Sequence, residues 1–403
     1  MDKQLDELLA DGLISESTSP WAHPIVCVAK PDGSIRLCVN YKEVNKFTIS
    51  DAYPMNRIDD LLQEVGDAAY ITTLDCSSGY WQIPVHPDSK QCTAFVTHRG
   101  LFHWNVLSFG LKNAGATFQR TMNHILHPHK KYARAYIDDT AVYSTGWEKH
   151  LLDLDASLGA FQAAGMTLKL SKCQFARDTA KFVGHMIGSG TVSTDRGKIA
   201  AILDMPIPST KKLWRSFIGM ANYYRAHIPN LSELLIPLTN LTKNQAPSKT
   251  DITEEILQAF ELIKDALCSA QVLRTARYDR DFIIQTDASD YAVGACLAQI
   301  DDEGNEHPIA FASSKLSEAQ RRAWSTVEKE GYAIIFALKK FDHMVFGYNI
   351  TIFSDHNPLH FLIDSTPKSS KLTRWSLALQ RYNIKIEHRA GKLNANCDAL
   401  SRL

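Results

Sequence analysis

The chain has no excess of charge of either sign: 44 Lys plus Arg balance 44 Asp plus Glu over 403 residues. A neutral total removes the simplest signature of a nucleic-acid-binding protein, although carboxylates gathered at metal sites would offset a local basic groove. No apolar run approaches the length of a bilayer span, and the start, "MDKQLDELLADG", is acidic and amphipathic, unlike a signal peptide. No membrane partner is therefore expected. The eight cysteines (Cys27, Cys38, Cys76, Cys92, Cys173, Cys268, Cys296, Cys397) include no Cys-x-x-Cys pair and no zinc spacing. They are expected to be reduced and mostly buried, as in a cytosolic or nuclear protein. Internal repeats and low-complexity tracts are missing too. What remains is an ordinary globular composition, 45% hydrophobic and 22% charged, in a chain long enough for two or three domains.

Periodicity divides the chain into three regions. Up to about residue 185, short helices alternate with β segments such as "HPIVCVAK", "SIRLCVNY", "AYITTLD", "CTAFVTH" and "AKFVGHMI". From about 190 the pattern turns helical, and the polar stretch "TKNQAPSKTDIT" (242–253) reads as a linker. In "EEILQAFELIKDAL" the apolar residues Ile256, Phe260, Ile263 and Leu267 fall on one helical face. After about 272 strands return, followed by a helix, a strand and more helices, an α/β order.

Two sets of carboxylates stand out. "YIDDTAVYS" places Asp138 and Asp139 side by side between two β-forming runs, which reads either as an ordinary hairpin or as a divalent-metal site whose cation neutralises the repulsion. Asp75, ending the β-branched run "AYITTLD", would complete a two-metal set for phosphoryl transfer. Nearer the C-terminus, Asp287 ends "FIIQTD", Asp355 ends a strand before "HNPL", and Asp398 opens "DALSR". Each alone reads as a turn or cap. Between them, "STVEKEGYAIIFALKKF" offers two glutamates. Ser325 and Glu328 have capping-box spacing, while Glu330 begins the stripe Ala333, Ile334, Ala337, Leu338, so the metal role is assigned to Glu330.

The motifs "LDCSSGYWQIPVHPDSKQCTAFVT", "FHWNVLSFGLKNAGATFQRTMNHIL" and "YIDDTAVYS" resemble the palm of a gypsy-type LTR-retrotransposon reverse transcriptase. Matches continue on both sides, from "LISESTSPWAHPIVCVAKPDGSIRLCVNYKEVNKFT" to "RSFIGMANYYRAHIPN". The resemblance implies an α+β right-hand polymerase of fingers, palm and thumb. It is followed by an α/β ribonuclease H-like domain with a mixed sheet. The expected divisions are 1–188 for fingers and palm, 189–271 for thumb or connector and 272–403 for the ribonuclease H-like domain.

By the same resemblance Asp75, Asp138 and Asp139 would be polymerase metal ligands, and Asp287, Glu330, Asp355 and Asp398 those of the nuclease. Each set would hold two Mg2+ or Mn2+ ions. Lys30 and Arg36 would hold the nucleotide phosphates, Tyr80 would crowd the sugar 2′ position, and Phe109 and Gly110 would flank the incoming base. Implied partners are an RNA template, a DNA primer, RNA–DNA hybrid, deoxynucleoside triphosphates and further Pol segments (protease, integrase). The implied location is the cytoplasm, in a virus-like particle, and the nucleus. His388 or Arg389, in "IEHRAGK", lies where relatives place a residue near the scissile phosphate, with the register open between them.

Asn40, Trp81, Ser108 and Gly115 depart from the family pattern; Ser108 and Gly115 each replace a customary Pro, and Asn40 and Gly115 would loosen the fingers and the nucleotide pocket. Such drift would also mark a decayed element copy that only binds nucleic acid, and a plant pararetrovirus polymerase has similar motifs. All seven metal carboxylates are intact, which favours activity. No protease or integrase signature is present up to "ALSRL", so a fragment or a processed piece is expected.

Overall fold

The computed structural model describes residues 2–29, 35–243, 252–269, 272–354 and 370–389. They form two compact units, Met1–Val183 with Ile187–Ser189, and Gly184–Met186 with Gly190–Leu403.

The first unit holds two sheets. One has five strands in the order Ile14–Glu16, Gly100–Trp104, Phe95–Thr97, His23–Ala29, Ile35–Val39. It closes over a core of Leu5, Leu8, Ile14, Tyr41, Phe95, Phe102 and Trp104. The buried Tyr41 hydroxyl donates to the Thr93 carbonyl at 2.9 Å, which satisfies its one polar atom.

The second sheet is antiparallel, in the order Ala133–Tyr136, Asp139–Ser144, Tyr70–Asp75, Gln174–Arg177. Three of the six residues of Tyr70–Asp75 are β-branched, which suits a pleated strand covered on one face. Alternation turns Thr72 and Leu74 toward the helices Ala114–Ile125 and Trp147–Ala163, and Asp75 to the opposite face. Leu74 packs with Phe118, Met122, Val142 and Phe161. Beside them Thr72 and His150 meet at 2.8 Å, and the Ser144 hydroxyl donates to Asp153 at 2.7 Å. This buried polar network ties the helix Trp147–Ala163 to the sheet. Although it contains Ser, His and Asp, His150 is 0% exposed and no substrate can reach it.

In the second unit the expected stripe is borne out: Ile256, Phe260, Ile263 and Leu267 are buried against Trp214 and Phe217. The C-terminal region forms a mixed five-stranded sheet, in the order Glu306–Lys315, Ala292–Ile300, Phe282–Ala288, Asn349–Ser354, Asn383–His388. The first three strands pair antiparallel and the last two join in parallel. A parallel return needs a crossover. The helix Thr326–Val345 supplies it, burying Ile334, Leu338, Phe341 and Val345 on the sheet.

A short segment from the helical part of this unit docks on that sheet. Gly294 lies opposite Asp287 on one side and Ser313 on the other. A Cβ added at Gly294 would overlap the side-chain oxygen of Asn230. The Ser232 N–H donates to the Ser313 hydroxyl at 2.8 Å, and the Ser289 hydroxyl donates to Glu233 at 3.0 Å.

The cysteines depart from expectation. Among the described residues Cys76 and Cys296 are buried, whereas Cys27 and Cys268 are exposed. The linker expected at 242–253 falls largely outside the described residues. No helix among the described residues is long and apolar enough to cross a membrane.

Candidate active sites

The last pair of the hairpin is Tyr136 with Asp139, so its loop consists of Ile137 and Asp138 alone. Ile137 sits at φ 54, the only positive φ of the two. That is the pattern of a II′ turn, whose first position favours Gly. A β-branched residue there carries strain of about 1–3 kcal/mol. Asp139 lies directly opposite Asp75 in the strand register. Directly opposed residues have Cβ atoms about 5 Å apart, so two like charges share one spot.

Neighbouring groups feel both loop and strand carboxylates. Burial pushes the Cys76 thiol up to about 12, and the charges of Asp138 and Asp75 add to the shift. Burial, and then Asp138, also raises the Tyr80 hydroxyl above its ordinary value. Asp138 thus acts on both Cys76, next to Asp75 in the chain, and Tyr80.

A cation already stands at Asp75. The Lys172 ammonium lies 3.1 and 3.3 Å from the two oxygens of Asp75. Its turn, Leu170–Lys172, is anchored by the Lys169 N–H donating to the Asp75 carbonyl at 2.9 Å. Sequence reasoning missed Lys172, since nothing local links residues 97 positions apart. Among the described residues no group of three or more His, Cys, Asp or Glu side chains closes into a ready cation cage. The donor set still fits a hard divalent ion: three carboxylates, all oxygen, at one sheet end, with an ammonium as stand-in on one of them.

The residues expected at the nucleotide site are brought together in part. Tyr80 meets Phe109 edge-on at 4.9 Å and tilts against Phe118 at 5.3 Å. A Cβ at Gly79 would stand 2.9 Å from the Phe118 ring, so a side chain there would displace this packing. Gly110 has φ 92, and its carbonyl accepts from the Asn45 amide at 2.9 Å. Trp81 packs, partly buried, against the core of the five-stranded sheet, 5.7 Å from Trp104, and also meets Phe109 edge-on at 6.2 Å. Lys30 lies outside the described residues; the Arg36 backbone pairs with Val28, and its side chain lies outside them too.

The four departures from pattern leave these elements whole. The Asn40 side chain accepts the Lys42 N–H at 3.2 Å at the start of the helix Lys42–Phe47. Ser108 is buried, with its hydroxyl donating to the Phe109 carbonyl at 3.3 Å. Gly115 lies in the first turn of Ala114–Ile125, where a Cβ would make an ordinary 3.8 Å contact with the Tyr80 hydroxyl. Trp81 is partly buried against the core, its ring N–H buried without a hydrogen-bond acceptor.

Of the second carboxylate set, Asp287 and Glu330 are described; Asp355 and Asp398 lie outside. Asp287 is half-buried near the end of its strand, and Glu330 is 3% exposed on the crossover helix. The capping box is present in both directions between Ser325 and Glu328. Glu328→Ala is accordingly expected to cost about 1 kcal/mol of stability, read by thermal denaturation, and to leave the chemistry of this site untouched. Arg389 is held by Glu306 at 3.0 Å and lies 3.6 Å over the Phe353 ring, while His388 pairs with Ser354 in the strand register. In the basic run "KKYAR", Arg134 is engaged by both oxygens of Glu64, at 2.6 and 2.7 Å, rather than free for phosphate.

Residues 28–187 match the family model described as reverse transcriptase (RNA-dependent DNA polymerase), and residues 277–382 that of the RNase H-like domain found in reverse transcriptase. The whole chain aligns at 37% identity with the retrovirus-related Pol polyprotein from transposon 297 of Drosophila melanogaster, spanning 38% of that protein. It aligns at 34% identity with the transposon Tf2-3 polyprotein of Schizosaccharomyces pombe, spanning 30% of it. The chain thus covers less than half the length of these relatives. Among solved structures, the foamy viral protease–reverse transcriptase in complex with double-stranded DNA superposes on 96% of this chain and 68% of its own, with a TM-score of 0.81 and 25% identity. Two domain families in this order, with identity to transposon polyproteins along the full chain, show that it belongs to the reverse transcriptase–ribonuclease H family of LTR-retrotransposon Pol polyproteins.

Proposed function

We propose that the chain copies RNA into DNA at Asp75, Asp138 and Asp139, and degrades the RNA strand of the resulting hybrid at Asp287, Glu330, Asp355 and Asp398. The observation that carries the first half is the Asp75–Asp139 register pair with Asp138 in the adjoining turn, already drawing an ammonium. Each set would hold two Mg2+ or Mn2+ ions. Bound there, such ions would supply activation of the primer 3′-hydroxyl, or of water at the nuclease site, and would neutralise charge on the leaving group.

The chain's own residues do the rest. Lys172 holds Asp75 in place. The Tyr80 ring, backed by Phe109 and Phe118, stands where a ribose 2′-hydroxyl would fall and admits deoxynucleoside triphosphates. Lys30 and Arg36 take the phosphates, and Gly110 lets the backbone turn beside the base. Asp287 and Glu330 approach the nuclease site from a strand and the crossover helix.

In this reading the substrates are an RNA template with a DNA primer, and then the hybrid. The remaining Pol segments work alongside in a virus-like particle, in the cytoplasm and later the nucleus. Support comes from the family and from the foamy viral relative, solved with double-stranded DNA. The deciding experiment is primer extension on poly(rA)·oligo(dT) with Mg2+ or Mn2+, run beside cleavage of a labelled hybrid. Both activities are expected. A chain that binds the hybrid and does neither is a decayed remnant.

Hybrid binding should also weaken linearly in log salt despite the balanced total charge, because each neutralised phosphate releases counterion. A flat titration would mean that no local basic groove exists.

A further inference from the structure

Asp138 hangs from a turn whose preceding residue is strained, so something has to hold that turn. Among the described residues the strand before it, Ala133–Tyr136, is the outermost of its sheet, and its outward-facing backbone groups have no strand beside them. Gln119 takes that place. Its side-chain nitrogen donates to the Ala135 carbonyl at 2.9 Å, and its oxygen accepts the Ile137 N–H at 2.7 Å. Bonding one carbonyl and the N–H two residues on is what a neighbouring strand would do.

The clamp is itself fixed. Gln119 is 0% exposed on the helix Ala114–Ile125. The same nitrogen donates to Asn123 at 2.9 Å, and Asn123 in turn donates to the Tyr53 hydroxyl at 2.8 Å. Asn56 adds a second amide bond to the Ala135 carbonyl at 3.3 Å. With both ends of its carboxamide engaged, Gln119 has one orientation, and it grips the backbone on either side of Tyr136, up to the residue before Asp138.

We infer that Gln119 is a positioning residue for DNA synthesis: it keeps the Ile137–Asp138 turn closed so that Asp138 stays aimed at the place it shares with Asp75 and Asp139. The inference rests on the polymerase reading of that site. A glutamine that only stabilised the core would act on the whole fold equally, and that difference is measurable.

Gln119→Met keeps length and approximate volume and removes both bonds to the turn, together with the one to Asn123. The expected result is a fall in kcat for dTTP addition of about 10- to 100-fold, the scale of a small misplacement of a reacting group. The Mg2+ concentration giving half-maximal rate should rise, while hybrid binding and hybrid cleavage stay at parental values. In the metal-free protein, amide hydrogen exchange over residues 135–139 should quicken. Adding Ile137→Gly to Gln119→Met should recover part of the lost rate, because Gly accepts the positive φ without a clamp.

Parental kcat and Mg2+ dependence in Gln119→Met would overturn the inference. So would cleavage falling in step with synthesis, or no recovery on adding Ile137→Gly. If the parent chain cleaves hybrid but extends no primer, the polymerase reading fails. The exchange measurement then decides on Gln119 by itself: quickened exchange keeps it as the clamp of the turn, and unchanged exchange removes it.

Discussion

Asp138→Asn should reduce DNA synthesis by about a thousandfold or more while hybrid cleavage continues, and Glu330→Gln should do the reverse. The size of the effect follows from removing a charge that touches the transition state rather than one that merely holds structure. Asn has nearly the shape of Asp, and position 138 is an exposed loop residue, so stability should move by no more than about 0.5 kcal/mol. Glu330 is the more exacting half of the test because it is buried, and Gln preserves its volume there. Primer extension and hybrid cleavage on the same preparations, with circular dichroism to certify the fold, read both outcomes. If either substitution abolished both activities in a folded protein, two separate centres could not be maintained.

Tyr80→Ala should admit ribonucleotides, raising kcat/KM for UTP relative to dTTP by about 10- to 100-fold, the range over which a pocket discriminates by steric fit. The ring is held edge-on by Phe109 and from below by Phe118, so it cannot swing aside to accommodate a hydroxyl. Truncation opens the space without altering any carboxylate, at some cost in dTTP incorporation from lost packing. Tyr80→Phe keeps the ring and should keep the selectivity. Trp81→Ala should destabilise the five-stranded sheet's core without relaxing sugar choice, because that ring packs on Trp104. Single-nucleotide incorporation of dTTP against UTP separates the three variants. Unchanged selectivity in Tyr80→Ala would place the sugar elsewhere.

What was legible in the sequence was what local pattern encodes. The run "YITTLD" announced a strand ending in Asp75, and Ser-x-x-Glu spacing separated Glu328 from Glu330, as the observed capping box bears out. The stripe Ile256, Phe260, Ile263, Leu267 was equally plain. Contacts between distant segments left no such trace: Lys172 on Asp75, Gln119 on Ile137, Asn230 against Gly294. The strand Asn383–His388 was readable in hindsight, since Ile384 and Ile386 alternate with polar residues, but its parallel pairing with Asn349–Ser354 was not. Arg389 was left open beside His388, and its ion pair with Glu306 depends on a strand 83 positions away.

The row Asp287, Gly294, Ser313 has a consequence for where this molecule can be divided. By sequence order Asn230, Ser232 and Glu233 precede the ribonuclease H-like region, whose family match begins at 277. By packing they belong to its sheet: the Asn230 side chain fills the space that Gly294 leaves vacant, one strand from Asp287, while Ser232 bonds Ser313 and Glu233 bonds Ser289. Covalent order and structural ownership therefore disagree over this segment. A recombinant piece cut at the family boundary would carry an open notch beside the Asp287 strand, with Ser313 losing the Ser232 N–H and Ser289 losing the Glu233 carboxylate. A piece beginning upstream of Asn230 would bring its own plug.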